Sequence, residues 1–451
     1  MMTITQMRRH GLFDARVPRY TSYPTANHFT ADVGPQNMAG FLDAVPAGAR
    51  ISLYLHIPFC RRLCWFCACR TQGTATASPV RAYVETLKSE ITLMRARLPE
   101  GVTLSRLHWG GGTPTLLDAQ MIRDLAESVA AEFPLAEGAE FSVEIDPNEI
   151  DAARLDALAE AGLTRASIGV QDFDPDIQKI IGRDQSFEMT KTAVDGLRAR
   201  GIDSLNVDIL YGLPNQTEAR ISESVQRVLS LGPDRIALYG YAHVPWMARR
   251  QALIPTELLP RPEERLALFE TAARLFRWDG FADIGIDHFA RPEDGLAIAL
   301  KEGRLRRNFQ GYTDDEAEVL LGLGASSISR FPGGFAQNAP ATSKWVSAVN
   351  AGEIATARGL VLSDDDRLRG TLIEMLMCEF RIHLNRAAKR AGTSVAAVER
   401  ACAPVLSAYP DLLRRTSSGL EVRSEARPLT RILARALDAW EVKSEGHSLA
   451  I

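Results

Sequence analysis

Between residues 51 and about 290 the chain alternates short apolar runs with longer amphipathic stretches, and no other feature restricts its fold as much. Seven runs read as strands: ISLYLHIP (51–58), SRLHWGG (105–111), FSVEIDP (141–147), RASIGVQ (165–171), SLNVDILYG (204–212), RIALYGYAH (235–243) and FADIGIDHF (281–289). They are rich in β-branched and aromatic residues and end in Gly, Pro or polar residues. Between the first two, Val80, Tyr83, Val84, Leu87, Ile91 and Met94 recur at helical spacing, and Leu266, Phe269, Ala273 and Phe276 do so before the last. Strands alternating with helices predict parallel βαβ units joined by right-handed crossovers. Six or seven units predict an α/β fold, a full or partial (β/α) barrel rather than an open doubly wound sheet.

Polar residues gather at the carboxyl ends of these runs, the face on which barrels build their sites. Cys60 follows the first, Gly110, Gly111, Gly112 and Thr113 close the second, and Glu144 and Asp146 end the third. Gln171 ends the fourth, Asp208 lies within the fifth, and Ala242 and His243 end the sixth. Solvated surface charges are the plainer explanation of any one of them. Their repeated registration with strand ends argues for a site.

Beyond residue 290 the alternation stops. The Gly-rich segment 301–330 carries NFQGYT and GASSIS, and from about Ser363 the pattern is helical: LRGTLIEMLMCEF, SVAAVERACAPVL and LTRILARALDAWE, with a strand-like GLEV at 419–422. The expected division is an arm over 1–48, a catalytic barrel with substrate loops over 49–362, and a small winged-helix-like helical domain over 363–451. The net charge of −4 gives no support for nucleic acid or an anionic membrane as partner. No run of 18 apolar residues occurs and the first residues lack a signal-peptide core, so a reducing cytoplasm is expected.

Four of the six cysteines lie in HIPFCRRLCWFCAC: Cys60, Cys64 and Cys67 form C-x3-C-x2-C, and Cys69 follows. Three close thiolates can hold three corners of a cubane iron–sulfur cluster and leave one iron open. A closed zinc site is the alternative, but it takes four ligands and usually a second paired knuckle. Here the other two cysteines, Cys378 and Cys402, are distant from the window and from each other. Buried inert thiols are the expectation for both.

Together with the glycine run HWGGGTPT (108–115), the cysteine pattern resembles the radical S-adenosylmethionine (SAM) enzymes. PRYTSYPTA (18–26), Cys69, EIDP, GVQDF, NVDILYGLP, YAHVP, GIDHFARP and NFQGYT narrow the resemblance to the oxygen-independent coproporphyrinogen III oxidase family of heme biosynthesis. The resemblance implies a partial TIM-like radical SAM barrel. It implies a [4Fe–4S] cluster on Cys60, Cys64 and Cys67, whose fourth iron chelates SAM and, on one-electron reduction, yields a 5′-deoxyadenosyl radical. Tyr54, Phe66, Gly111, Glu144 and Ile328 would border a first SAM; Gly112, Thr113, Gln171, Arg183, Asp208 and Ala242 would border a second. Packing is the plain alternative for Phe66, a tight turn for the glycines, and an ordinary surface arginine for Arg183.

The resemblance further implies catalytic roles for Cys69, Phe309 and Gln310 near the substrate, with Cys69 not a cluster ligand. It implies that Arg19 and Tyr20 help to close the mouth. The substrate would be coproporphyrinogen III, two of whose propionates become vinyl groups. The reductant would be a flavodoxin or ferredoxin, the terminal acceptor is unspecified, and the chain would act as a monomer. The competing reading is a radical-SAM-like chaperone that binds heme without this decarboxylation; such relatives lack Cys69 and the PRYTSYP arm.

Overall fold

The computed structural model describes residues 2–441 and 449–451. Six strands lie side by side in chain order, all parallel: β1 (Arg50–Ile57), β2 (Thr103–Gly111), β3 (Leu135–Ile145), β4 (Arg165–Gln171), β5 (Ser204–Tyr211) and β6 (Arg235–Gly240). Each crossing between them carries a helix, from Ser78–Arg95 to Glu218–Ser230. The stripe from Val80 to Met94 is buried in the first of these. β4 shows the logic of the whole sheet. Ala166, Ile168 and Val170 are buried against the helices, while Ser167, Gly169 and Gln171 alternate onto the other face. The main apolar core therefore fills the layer between sheet and helices, where Trp109, Val143, Ile168, Val207 and Leu238 are almost fully buried. The opposite face is left free to be polar. A single cavity is lined by Ser52, His108, Ser142, Ser167, Asp208 and Tyr239, one from each of the six strands, so the sheet curls around a common interior.

The seventh expected strand is a correction. Residues 281–289 form two short antiparallel strands, Ala282–Ile284 and His288–Ala290, and the second runs antiparallel to β6. Gly285, at φ +55°, turns the chain back where a continuous run was expected. Beyond β1, Leu320–Leu323 pairs parallel to it, and three antiparallel strands extend that edge to Thr356–Val361. The result is an open sheet of 12 strands, in which no pairing among the described residues joins the two edges. This is a partial barrel.

After Ser363 come helices Asp364–Glu379, Leu384–Ala391, Val395–Ala408 and Thr430–Leu437, and a three-stranded sheet with Gly419–Val422 at its centre. The last helix stops four residues short of the expected Glu441. Its cap, Asp438, leaves helical geometry, and its carboxylate accepts from Trp440 N–H and Tyr20 O–H instead. The expected C-terminal domain includes residues 442–448, which lie outside the described residues. The arm does not close a core alone: Met7, Leu12, Phe13, Val17, Tyr20 and Tyr23 share one with Leu372, Leu376, Leu429 and Leu433. Because Leu12 is fully buried there, Leu12→Ala should cost ~2–4 kcal/mol in urea unfolding. An unchanged midpoint would mean that the arm is not part of the cooperative unit.

Candidate active site at the carboxyl ends of the strands

β1 runs through Pro58 into a two-residue bridge, Phe59–Cys60 with Gln72–Gly73, and the loop between these ends carries Cys64, Cys67 and Cys69. Four bonds fix it to the barrel: Gly112 N–H to Ile57 C=O (2.8 Å), Thr113 N–H to Phe59 C=O (2.7 Å), Trp65 N–H to Ile181 C=O (2.9 Å) and Gln251 Nε2 to Phe66 C=O (2.7 Å). Cys60, Cys64 and Cys67 are half-buried. Arg183 Nη1 lies 3.6 Å from Cys64 Sγ, with its side chain only 11 % exposed. Arg183 is therefore no ordinary surface arginine. Two of its nitrogens are held by Gln185 Oε1 and the Gly169 carbonyl, and Nη1 is turned to the sulfur.

The Cys69 thiol holds the Cys67 sulfur below its ordinary pKa, burial opposes, and Arg250 and Arg183 assist. Burial pushes Cys60 up to about 11, partly offset by the Thr113 hydroxyl, and raises Cys64 as well. Among the described residues no three His, Cys, Asp or Glu side chains close on a point that a single ion would occupy. Soft sulfur donors on one anchored loop, with guanidinium groups beside them, are the donor set of an iron–sulfur cluster.

Inside the barrel, Glu144 Oε2 accepts from Gly111 N–H at 2.9 Å and Oε1 lies 3.5 Å from His108 Nε2. Burial would raise this carboxyl, but the partnership with His108 and the bond from Gly111 hold it below its ordinary value. Its side chain stays 43 % open to the cavity, so it can accept further hydrogen bonds. Tyr54 stacks on His108 at 5.7 Å and shares a hydrogen bond with His56 Nδ1 (3.0 Å). The glycine run has a reason within the protein itself: a Cβ on Gly110 would meet Glu144, on Gly111 His56, and on Gly112 the Phe59 carbonyl oxygen at 2.5 Å. Gln171 ends β4 in left-handed geometry (φ +70°), local strain of the kind that gathers at functional sites.

Asp208 accepts from Asn206 Nδ2 (2.9 Å), and burial, reinforced by Glu144, pushes it up to about 6. The folded state therefore holds this proton more tightly than the unfolded chain, and ionising the buried carboxyl opposes folding above about pH 6. Asp208→Asn should melt higher than the parent at pH 7.5, and the gap should shrink as pH falls through about 6 toward 4. Calorimetry against pH checks both the sign and the window.

Phe309 and Gln310, neighbours on the turn between Arg306–Asn308 and Gly311–Thr313, line different cavities. Gln310 lines the barrel interior with Glu144 and Asp208, a space of about 140 Å³. Phe309 packs edge-on against Phe335 and lines a second space of about 190 Å³ with Tyr20. Ile328 packs against the Phe29, Phe335 and Leu360 cluster. Phe66 packs beside Ile177, Ile181 and Tyr241. Arg19 Nη2 donates to Gly240 C=O at the end of β6 (2.6 Å), whereas Tyr20, 4 % exposed, is tied to Asp438. Two larger cavities are found elsewhere: one of about 620 Å³ opens at the amino ends of the strands beside Arg50, Arg106 and Asp315, and one of about 770 Å³ lies on the outer side of the cysteine loop beside Trp65 and Ile180.

Three residues escape the motif reading. Gln251, 1 % exposed, ties Phe66 C=O to Ala242 C=O and accepts from Val244 N–H, coupling the cysteine loop to the end of β6. Arg250 Nη2 donates to Thr71 Oγ1 (3.0 Å) in the same loop. No spacing announces either residue. His108 was within reach, because Ser52, Tyr54, His56 and Arg106, His108, Gly110 alternate onto the inner face of β1 and β2.

Residues 54–228 match the family model described as the radical SAM superfamily. The oxygen-independent coproporphyrinogen III oxidase of Paracoccus denitrificans is 62 % identical over 447 residues, 99 % of each chain, and that of Cereibacter sphaeroides is 57 % identical over 445 residues, again 99 % of each. The solved coproporphyrinogen III oxidase of Escherichia coli, described as a radical SAM enzyme, superposes with a TM-score of 0.89 at 36 % identity, covering 94 % of this chain and 98 % of that one. A cysteine loop, a glycine-packed strand end and an inward carboxylate on a partial barrel, matched along the whole chain, place this protein in the oxygen-independent coproporphyrinogen III oxidase family of radical SAM enzymes.

Proposed function

We propose that the protein converts two propionate side chains of coproporphyrinogen III to vinyl groups without oxygen, giving protoporphyrinogen IX. The observation that carries this reading is the loop of Cys60, Cys64 and Cys67 anchored beside Glu144 and Arg183, in a chain that matches oxidases of that name from end to end. The three thiols would hold a [4Fe–4S] cluster, leaving one iron for SAM. When bound, cluster and SAM supply a one-electron cleavage that yields a carbon-centred radical able to take a hydrogen atom from a propionate β-carbon.

The chain's own contribution is position, charge and exclusion of water. Glu144 accepts from ribose hydroxyls, in a direction fixed by Gly111 N–H and His108. Tyr54, Phe66, Gly111 and Ile328 border the first SAM, and the Gln251 bond holds Phe66 in place. For a second SAM, Arg183 Nη1 is the arm of the fork not already engaged by Gly169 and Gln185. Asp208, held at about 6, ionises to meet a sulfonium or ammonium, while Gly112, Thr113, Gln171 and Ala242 frame the space. Cys69 acts through its contact with the Cys67 sulfur rather than as a ligand. Gln310, in the interior, and Phe309, beside it, meet the substrate.

The exposed Arg61, Arg62 and Arg70 around the loop support an acidic reductant such as a flavodoxin or ferredoxin. The two apolar cores support a division into barrel (49–362) and C-terminal domain (363–451), bridged by the arm (1–48), whose Met7 to Tyr23 pack in the C-terminal core and whose Met38, Leu42 and Val45 pack in that of the barrel. One chain carries every residue of the site, so a monomer suffices. Six thiols without a disulfide suit a reducing cytoplasm. Anaerobic reconstitution with iron and sulfide, followed by reductant, SAM, coproporphyrinogen III and a one-electron acceptor for the electron released with each CO2, should yield protoporphyrinogen IX, CO2, methionine and 5′-deoxyadenosine. Stable heme binding with no turnover would overturn the reading in favour of a heme chaperone.

A further inference from the structure

Four arginines from four separate elements meet above the ends of β5 and β6. Arg19 comes from the arm, Arg307 from the strand Arg306–Asn308, Arg427 from the short helical turn Ser424–Leu429 and Arg431 from the helix Thr430–Leu437. With Tyr211 and Gly240, the last residues of the two strands, these four line a cavity of about 70 Å³, and Arg265, on the helix Pro262–Trp278, stands beside it against Gly240 and Ile451. Asp287 is the one side-chain carboxylate in that lining among the described residues, and it is already engaged by His288 Nδ1 (2.7 Å) and Arg307 (3.7 Å). The other acceptors are the main-chain carbonyls of Val17, Pro18, Leu449 and Ala450 for Arg431, and an oxygen of the last residue, Ile451, for Arg265.

The cationic charge is thus poorly neutralised. Among the described residues, Arg265 Nε and Arg307 Nε and Nη1 are buried without a hydrogen-bond acceptor, and the Arg307 side chain is only 4 % exposed. Burial, with Arg19 alongside, pulls Arg431 down to about 9 and Arg265 below its ordinary value. Both remain cations at neutral pH, and the arginines here outnumber the acidic groups that face them among the described residues. Buried guanidinium groups normally come paired, so the arrangement has the character of a receptor awaiting an anion.

The cavity also lies close to the proposed chemistry. Arg307 lines the space that holds Phe309, and the next residue, Asn308, lines both that space and the barrel interior. Asp287 connects through His288 to Tyr239 (3.3 Å), in the wall of the cavity that contains Asp208. At about 70 Å³ the space holds roughly two waters' worth of volume, at about 30 Å³ each, enough for a carboxylate and a methylene but not for a macrocycle.

We propose that this arginine-lined cavity binds one carboxylate arm of the tetrapyrrole and so fixes how the ring is presented to the barrel. The inference rests on the coproporphyrinogen reading for its ligand. The guanidinium forks would take over the bonds now made to main-chain oxygens, giving charge-assisted contacts in their place. Arg19 is thereby a positioning residue.

The test uses the full-length protein and a stable probe, coproporphyrin III, followed by fluorescence anisotropy beside its tetramethyl ester. Arg19→Gln should weaken binding of the free acid about tenfold or more, leave any binding of the ester unchanged, and raise KM with little change in kcat. Arg19→Lys should restore part of the loss. Arg427→Gln supplies a second variant should Arg19→Gln fail to fold. Parental affinity for the free acid in the folded variants, or equal binding of acid and ester by the parent, would overturn the proposal. The binding readout is independent of turnover. A parent that binds the acid selectively but makes no protoporphyrinogen would sink the functional reading and leave the cavity assignment standing.

Discussion

Cys64→Ser protein, reconstituted anaerobically with iron and sulfide, is expected to stay folded and to lose both its iron–sulfur absorbance and its cleavage of SAM. The residue sits half-buried on a loop, and replacing sulfur by oxygen removes little volume, so the barrel has no reason to collapse. The chemistry changes far more. A thiolate is a soft donor suited to iron–sulfur clusters, whereas a serine hydroxyl stays protonated near neutral pH and is a poor substitute. Arg183, aimed at this sulfur from 3.6 Å, favours an anion there and would be left facing a neutral hydroxyl. Loss of a partner that merely supports a ligand typically costs 10–100-fold, so loss of the ligand should exceed about 100-fold in SAM cleavage. Cys402→Ser is the matched control: Cys402 is buried among the C-terminal helices, so that variant should keep its cluster and lose about 1–3 kcal/mol of stability from a buried hydroxyl. Iron and sulfide analysis with methionine release from SAM separates the two. Undiminished cleavage in Cys64→Ser would remove it from the ligand set, and zinc without sulfide in the parent would remove the cluster altogether.

The features legible in the sequence are those written in local periodicity and in motif. The six parallel strands could be read because each is a short β-rich run ended by a glycine or polar residue, and β4 spans the expected 165–171. The seventh failed because FADIGIDHF has the composition of a strand, while its fate turns on the left-handed Gly285. The cysteine loop and Glu144 announced themselves through spacing and position at strand ends. Gln251 and Arg250 did not, since each reaches a partner nearly two hundred residues away and lies in an irregular loop without a pattern. Arg183 shows the same limit from the other side. Whether an arginine in GRDQ is solvated or turned against a thiol depends on where Gly169 and Gln185 end up, and that is a property of packing. The arginine cavity is the extreme case, because its four walls come from four elements that only the tertiary fold brings together.

Gly112→Ala should damage the site by forcing main-chain atoms of the cysteine segment apart. The added Cβ would stand 2.5 Å from the Phe59 carbonyl oxygen and 2.9 Å from its carbon and nitrogen, all main-chain atoms that cannot rotate away. Nor can the two segments separate without loss, since Gly112 N–H donates to Ile57 C=O at 2.8 Å and Thr113 N–H to Phe59 C=O at 2.7 Å. These bonds seat the cysteine loop on the end of β2. Relief of the clash must move Phe59, and Cys60 is the next residue. The stability cost of such overpacking is about 1–3 kcal/mol, but the functional cost should be larger, because a shift of Cys60 disturbs the spacing of all three thiols. Gly111 differs in kind: its Cβ would meet the His56 ring, which can turn, and its penalty comes from φ +115°. Gly40→Ala is the opposite control, a glycine inside the helix Pro35–Asp43 with nothing within 4 Å of its Cβ, and it should stabilise by about 0.5–1 kcal/mol. Iron and sulfide per chain, measured beside the melting temperature, reads both effects. If Gly112→Ala loads iron and melts as the parent does, the glycine is not what seats the loop, and the contact between β2 and the cysteine segment must be softer than these distances imply.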